Sequence, residues 1–146
     1  MPEQSSPPRP PSIADAERLR LLRQEVGRLR QRETRRRFDA CFHVGQLGGP
    51  RTGFVVAARD LPVMDVELRV DVASRLLQDS PPSWRHVWLV RPGTPEQHDV
   101  DLQWYSAAST AFAMHGRPLD GCYVVTRSGW RDVLTGDSRT WVRLRR

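Results

Sequence analysis

The sequence predicts an α/β protein: a three-layer mixed sheet with helices on both faces, preceded by a long N-terminal helix. Residues 86–91 and 121–126 are short apolar runs, rich in β-branched side chains and bounded by Pro or Gly, which is typical of strands buried on both faces. Between them, Thr-Pro-Glu-Gln at residues 94–97 predicts a capped helix start, and Gly116 predicts the helix end. Strands joined through a helix of this length pair in parallel, so this block predicts a βαβ unit.

The 146 residues divide into three predicted segments. Residues 1–11 contain five prolines and almost nothing to bury, which predicts a disordered tail. Residues 12–37 lack proline and begin at Ser12, a favoured N-cap residue, so they predict an Arg-rich amphipathic helix that forms a coiled-coil-like arm. Residues 38–146 have the length of one ordinary domain and predict a single α/β domain.

Three further elements complete the predicted domain. Residues 38–47 and 53–58 flank a Gly-Gly-Pro turn and predict an antiparallel hairpin. Residues 65–78 predict an amphipathic helix packed on the sheet. Its inward positions are predicted to be Val66, Val70, Ala73, Leu76 and Leu77. Residues 130–134 and 140–145, on either side of a Thr-Gly-Asp-Ser turn, predict a closing hairpin.

Four apolar residues of the N-terminal helix step by three, four and three positions, which is the spacing of a coiled-coil seam. They are Leu19, Leu22, Val26 and Leu29. Roughly two heptads are too short for an autonomous coiled coil, so the seam needs a partner: a second copy, another protein or the chain's own domain. Association through residues 12–30 is the first interpretation. It predicts an oligomer that becomes monomeric when residues 1–37 are removed.

Basic residues are unevenly placed along the chain. Positive charge exceeds negative charge by six, and all 23 basic residues are Arg. Six of them cluster after the seam: Arg28, Arg30, Arg32, Arg35, Arg36 and Arg37. Such a block attracts phosphates, which makes nucleic acid a candidate partner, with Arg143, Arg145 and Arg146 as further contacts. The cluster equally fits a solvated helix end, because Arg complements the helix dipole there. No aromatic residue lies among these arginines, so a stacking platform for single strands is missing from the segment.

Several classes of protein lack their signatures in this sequence. The N-terminus has no apolar segment of the signal-peptide kind, and no apolar run approaches the ~20 residues that span a bilayer. Cys41 and Cys122 stand alone in predicted strands, which favours reduced thiols and a cytoplasmic location. We expect neither cysteine to be activated by a His. A phosphate-cradling Gly loop, a nucleophile elbow and a zinc-deaminase signature are all missing, so no metal or cofactor is expected.

The loop after the first strand of the βαβ unit carries a family resemblance. Residues 89–99 and 118–130 resemble the second half of a RadC-like JAB/MPN (JAMM) domain. In that family the strand ends in His-x-His-Pro-Ser-Gly, and its two His and the Asp of a following Ser-x-x-Asp hold a catalytic zinc. Asp99 matches the family's Asp, but Leu89 and Arg91 stand in place of the two His and supply no zinc ligand. The resemblance implies a domain whose hydrolytic centre has been lost.

Three functions follow from these observations. The first is a non-catalytic, cytoplasmic interaction or scaffold protein that associates through its N-terminal helix. The second is a nucleic-acid-binding protein that uses the Arg cluster. The third is a small hydrolase with a site around Arg91, His98 and Asp99, in which Arg91 either pairs with Asp99 across the loop or is an ordinary surface residue. Convergence of these side chains in one pocket would favour the hydrolase, and their exposure to open solvent would exclude it.

Overall fold

The computed structural model describes residues 12–142, which form a six-stranded mixed sheet and three helices. The helices are α1 (Ile13–Arg32), α2 (Val66–Gln78) and α3 (Asp99–Met114), and the strands are β1 (Ala40–Gly45), β2 (Arg51–Val56), β3 (His86–Val90), β4 (Gly121–Val125), β5 (Gly129–Asp132) and β6 (Ser138–Thr140). The tail predicted for residues 1–11 and the basic residues Arg143, Arg145 and Arg146 lie outside the described residues. Within the described helices, no stretch is long and apolar enough to span a membrane.

The strands lie in the order β2-β1-β3-β4-β5-β6. β3 and β4 pair in parallel and are connected through α3, which confirms the predicted βαβ unit. All other neighbouring strands in the described sheet pair antiparallel. The two hairpins predicted from turn residues are therefore present, one at each edge of the sheet.

Helices cover both faces of the sheet. Successive residues of a buried strand point to opposite sides, so each strand contributes to both layers of packing. Leu89 of β3 packs in an apolar cluster with α2 and α3, whereas its neighbour Trp88 packs in a second cluster with α1. In the first cluster the ring of Trp104 stacks on Phe42 of β1, with the ring centroids 4.6 Å apart. The predicted three-layer α/β architecture is confirmed.

α1 is attached to the sheet by ion pairs as well as by apolar packing. Arg51 of β2 donates through both terminal nitrogens to Glu25 of α1, and the Nη2 to Oε1 distance is 2.6 Å. Arg18 of α1 donates through Nη1 to Oδ2 of Asp132 in β5 at 3.2 Å. Both carboxylates are buried, so each ion pair compensates a charge that would otherwise lie unpaired away from water. α1 is thus the third layer of the domain.

The predicted end of the N-terminal helix is wrong by five residues, since α1 ends at Arg32 and not at residue 37. Glu33 adopts an extended conformation, and its carboxylate accepts the backbone N–H of Arg35 at 3.1 Å. This local bond turns the chain away from the helix before the last three arginines of the cluster. The second strand of the closing hairpin is also misplaced in the prediction, because β6 is Ser138–Thr140 and residues 140–145 were predicted.

The predicted start of the central helix is wrong as well, since α3 begins at Asp99 instead of near Thr94. A helix from Thr94 would use the carbonyls of Thr94 and Glu96 for its own amides. Both carbonyls instead accept hydrogen bonds from Arg91, at 2.9 and 2.8 Å. The segment between β3 and α3 is therefore a loop folded around one guanidinium.

The inward face of α2 differs from the prediction. Asp65 caps the helix by accepting the Leu68 N–H at 2.8 Å. Val66, predicted to face the sheet, is 62% exposed, and Arg69 is buried in its place. The guanidinium of Arg69 donates to the carbonyl of Met64. A charged side chain whose head bonds to backbone can occupy an inward position that periodicity assigns to apolar residues.

Candidate functional site

Arg91 lies at the centre of the β3–α3 loop and is 1% exposed. Its Nε and one Nη2 proton go to the two carboxylate oxygens of Asp101, at 2.7 and 2.8 Å. Its remaining three protons go to the carbonyls of Pro92, Thr94 and Glu96. A guanidinium has five N–H donors, and all five are used inside the protein. Arg91 therefore organises the loop and has no donor left for a substrate.

The hydrolase site predicted around Arg91, His98 and Asp99 does not assemble. His98 and Asp99 are exposed, while Arg91 is buried with Asp101. An ion pair across the loop was one of the two predicted arrangements for Arg91, but its partner is Asp101 and not Asp99. Asp101 also accepts the backbone N–H of His98 at 2.9 Å, so its carboxylate caps α3 and holds the loop together.

The association seam is occupied within the chain. Leu22, Val26 and Leu29 are buried against Trp88 and the strands beside it, and Leu19 is 36% exposed. Of the three partners predicted for the seam, the chain's own domain is the one observed. The first interpretation, a seam free to pair with a second copy, is therefore wrong for these three residues.

The six clustered arginines do not form one patch. Arg28 and Arg32 line a pocket of about 200 Å³ together with Arg51, around the buried carboxylate of Glu25. That carboxylate accepts from Arg51 and lies 3.7 Å from Arg28, so the positive charge there is partly neutralised. Arg35 pairs with Glu33, at 3.0 Å between Nε and Oε1, and Arg37 is exposed.

Arg30 and Arg36 belong to a different pocket, about 360 Å³ in volume. It lies where the chain following α1 meets the loops at the carboxyl ends of β3 and β4, the usual position of ligand sites in α/β sheets. Its lining consists of Arg30, Arg36, Phe38, Gly93, Thr94, Arg127, Ser128, Trp141 and Val142. We call this the arginine pocket.

The β4–β5 turn positions two residues of the arginine pocket. Thr126 is fully buried, and its Oγ1 accepts the backbone N–H groups of Ser128 and Gly129 at 3.3 and 3.2 Å. This tight turn presents Arg127 and Ser128 beyond the end of β4. The carbonyl of Ser128 then accepts the backbone N–H of Trp141 at 2.7 Å, which places the indole at the wall of the pocket.

The arginine pocket carries positive charge without a bound carboxylate. Arg30 Nη1 and Arg127 Nε are buried and have no hydrogen-bond partner within residues 12–142. Glu33 is the carboxyl group that interacts with the pocket. Its pKa is lowered first by hydrogen bonds from Arg35 and then by the charge of Arg127. The Glu33 oxygens bond to Arg35, so the three arginines that line the pocket have only this partial compensation of their charge.

Trp141 is the aromatic residue that the Arg cluster lacks in sequence. The guanidinium carbons of Arg23 and Arg139 lie 5.6 and 5.5 Å from its ring centroid, which is cation–π distance. Trp141 also lines a second pocket of about 290 Å³ with Arg20, Arg23, Arg139, Leu19 and Trp130. We call the arginine pocket and this neighbour, with Trp141 between them, the Trp141 face. Sequence reasoning missed it because Trp141 is distant from the cluster along the chain.

A further pocket, about 570 Å³, lies at the other end of α1. Its charged side chains are already paired: Arg18 with Asp132, and Asp15 with the hydroxyl of Ser12. Arg18 Nε is buried without a partner among the described residues, but Arg18 is the one guanidinium on this lining and two acids lie beside it, so this pocket is a weaker candidate than the arginine pocket.

Cys41 and His43 lie side by side, a pairing that sequence reasoning missed although strand alternation puts both on one face of β1. Cys41 Sγ lies 4.0 Å from His43 Nδ1. Burial raises the pKa of the Cys41 thiol, and burial with the charge of Arg51 lowers the pKa of His43 to about 4. Both groups are therefore neutral near pH 7, which is the opposite of the thiolate–imidazolium pair that a cysteine nucleophile needs.

Among residues 12–142, no three His, Cys, Asp or Glu side chains cluster closely enough to hold a metal ion. Family models, curated proteins and solved structures include no match to this chain. The RadC-like resemblance stays a prediction, and the functional argument depends on the geometry of the chain itself.

Proposed function

We propose that this protein binds nucleic acid with unpaired bases through the Trp141 face. The observation that carries the proposal is the convergence of Arg30, Arg36 and Arg127 on one pocket that also contains Trp141. Guanidinium groups hydrogen-bond phosphate oxygens in pairs, and charge-assisted bonds of this kind contribute about 1.5–3 kcal/mol each. An indole adds about 1–3 kcal/mol per stacked base.

Both components are needed to favour nucleic acid over a simple anion. Three arginines alone would suit sulfate or an acidic peptide, but an aromatic wall beside them matches the alternation of phosphate and base along a strand. A base inside a duplex is already stacked and paired, so it cannot reach Trp141 in a concave site without leaving the helix. Single strands, loops or ends are accordingly the proposed ligands.

The other two predicted functions have lost their structural support. Association through α1 requires a free seam, and three of its four residues face the sheet. A hydrolase at Arg91 requires a convergent site, and Arg91 has no free donor. We retain the cytoplasm as the proposed location, because Cys41 and Cys122 are both free thiols.

Fluorescence anisotropy with a short labelled single strand tests the proposal. We expect binding in the micromolar range at low salt, with the logarithm of the affinity falling against the logarithm of salt concentration at a slope of about −2, as about three phosphates neutralised across the Trp141 face require. The double variant Arg36→Gln/Arg127→Gln should flatten the slope by at least about 0.7, the contribution of each phosphate that is no longer neutralised.

A matched control separates the pocket from net charge. Arg59→Gln/Arg75→Gln removes the same two charges from side chains that are 89% and 76% exposed, before and within α2. This control should keep the wild-type slope and most of the affinity. Equal weakening in the two double variants, or no binding by the wild type at low salt, would contradict the proposal.

A further inference from the structure

We infer that the arginine pocket takes a phosphate monoester, the terminal phosphate of a strand or of a mononucleotide, and not an internal phosphodiester. This inference rests on the proposed function and adds the chemical class of the group at its centre. The two halves of the Trp141 face differ in the hydrogen-bond partners and water contact of their arginine N–H donors.

The outer half is the neighbouring pocket, where the guanidiniums of Arg23 and Arg139 lie at cation–π distance from the indole and remain in contact with water. The inner half is the arginine pocket, where Arg30 Nη1 and Arg127 Nε are shielded from water and have no partner within the described residues. A buried donor left unpaired costs about 1–3 kcal/mol. A ligand that enters the pocket and draws these two side chains into hydrogen bonds would recover that free energy, whereas a ligand lying across the surface would not.

The number and charge of the donors favour a monoester. A monoester has three free oxygens and a charge of about −1.5 to −2 at neutral pH, whereas a phosphodiester has two free oxygens and a single charge. Arg30, Arg36 and Arg127 offer three guanidiniums, with the hydroxyls of Thr94 and Ser128 on the same lining. Three cations with one partly shared carboxylate, Glu33, match the monoester more closely in both charge and acceptor count.

The shape of the site is consistent with a strand end. A pocket of about 360 Å³ is at the lower end of the range for small-molecule sites, which is about 300–1,000 Å³. The neighbouring pocket of about 290 Å³ shares Trp141 with the first and is also lined by Arg20, Arg23 and Arg139. A terminal phosphate in the first pocket would let the chain continue past the indole into the second.

The test compares single strands of one sequence that end in a 5′-phosphate, a 3′-phosphate or hydroxyls only. We expect one phosphorylated form to bind about tenfold or more tightly than the hydroxyl form, since one additional charge-assisted contact supplies at least ~1.4 kcal/mol. Arg127→Gln should abolish this preference while leaving weak binding of the hydroxyl form. Arg139→Gln, in the outer half, should weaken all three strands by the same factor and keep the preference.

A nucleoside monophosphate used as competitor separates the two sources of a monoester. Competition as strong as that of the phosphorylated strand would identify a free nucleotide as the ligand, which supports the pocket chemistry but removes the strand from the proposed function. Equal binding of all three strands would overturn the inference and leave the proposed function standing. Unchanged thermal melting of Arg127→Gln would show that the variant is folded, so its loss of preference reports on the pocket.

Discussion

Two groups of arginines at the same end of the sheet differ in what their N–H donors do. Arg91 is buried, and it directs all five donors to Asp101 and three loop carbonyls. Arg30 of α1 and Arg127 of the β4–β5 turn keep buried donors with no partner among the described residues. A guanidinium with all five donors used internally, as in Arg91, stabilises the fold and offers nothing to a ligand. An unpaired Nε alone does not mark a ligand site, because Arg18, Arg69 and Arg117 have one too; what distinguishes Arg30 and Arg127 is that they line one pocket together with Arg36.

The largest expected effect comes from breaking the saturated site. Arg91→Met leaves the Asp101 carboxylate buried without its partner and three loop carbonyls unpaired, so we expect the free energy of unfolding to fall by about 3–5 kcal/mol. Denaturant unfolding followed by circular dichroism measures the change. The double variant Arg91→Met/Asp101→Leu should recover part of the loss, because it removes the stranded charge. A loss below about 1 kcal/mol in the single variant would mean that Arg91 is dispensable to the loop.

His43 extends the comparison to a buried group that is neutral at pH 7. Its pKa is about 4 in the folded protein and 6.5 in the unfolded chain, so the unfolded chain binds the extra proton between these values. Stability is therefore complete above pH 6.5 and falls as the pH drops toward 4, by up to about 3 kcal/mol. His43→Gln should remove most of that slope in unfolding experiments across this range. Burial also lowers the pKa of His86, so part of the fall in stability toward acidic pH should remain in this variant. An unchanged slope in the variant would show that folding does not lower the pKa of His43.

Trp141 tests whether the arginine pocket binds a strand with the help of base stacking. Trp141→Ala should weaken single-strand binding by about 1–3 kcal/mol, because the stacking surface between the two pockets is removed. Trp141→Phe keeps an aromatic ring and should retain most of the affinity in the same anisotropy experiment. If both variants bind as the wild type does, phosphate contacts alone hold the strand.

The smallest expected change in the free energy of unfolding gives the clearest contrast between Arg127 and Arg91. Arg127→Met makes the same exchange as Arg91→Met, but it removes a guanidinium whose Nε has no partner among residues 12–142 and which is repelled by Arg30 and Arg36. We expect the free energy of unfolding to stay within about 0.5 kcal/mol of the wild type or to rise slightly. A destabilisation of several kcal/mol would mean that Arg127 is a structural residue like Arg91.

The parts of the fold that the sequence predicts well are those set by neighbours along the chain. Apolar runs bounded by Pro and Gly predict β3 and β4, and Ser12 caps α1 as its position predicts. The start of α3 escapes this reasoning because Arg91 takes carbonyls that the helix would otherwise use. Spacing in α1 predicts a buried seam but does not identify the surface that buries it.

The candidate site depends on contacts between distant segments, which periodicity does not reveal. The clustered arginines are visible in the sequence, but their division around α1 follows from which helix face meets the sheet. Trp141 reaches Arg30 and Arg127 only because β5 and β6 fold back beside β4. The Arg91–Asp101 pair was predicted in kind but assigned to Asp99. Asp101, at the third position of α3, caps the helix through the His98 N–H, but His98-x-x-Asp101 is not the Ser/Thr-x-x-Glu/Gln pattern that sequence reasoning uses.

The central claim is that a strand binds at the unsaturated arginines and not at the saturated one. Proton–nitrogen correlation spectra of isotope-labelled protein resolve arginine Nε–H and tryptophan indole signals, so one titration with a phosphorylated single strand observes both regions. We expect the signals of Arg127 and Trp141 to shift with added strand, while the Arg91 Nε–H, held at 2.7 Å from Asp101, does not move. Shifts at Arg91 without shifts at Arg127 and Trp141 would contradict the account.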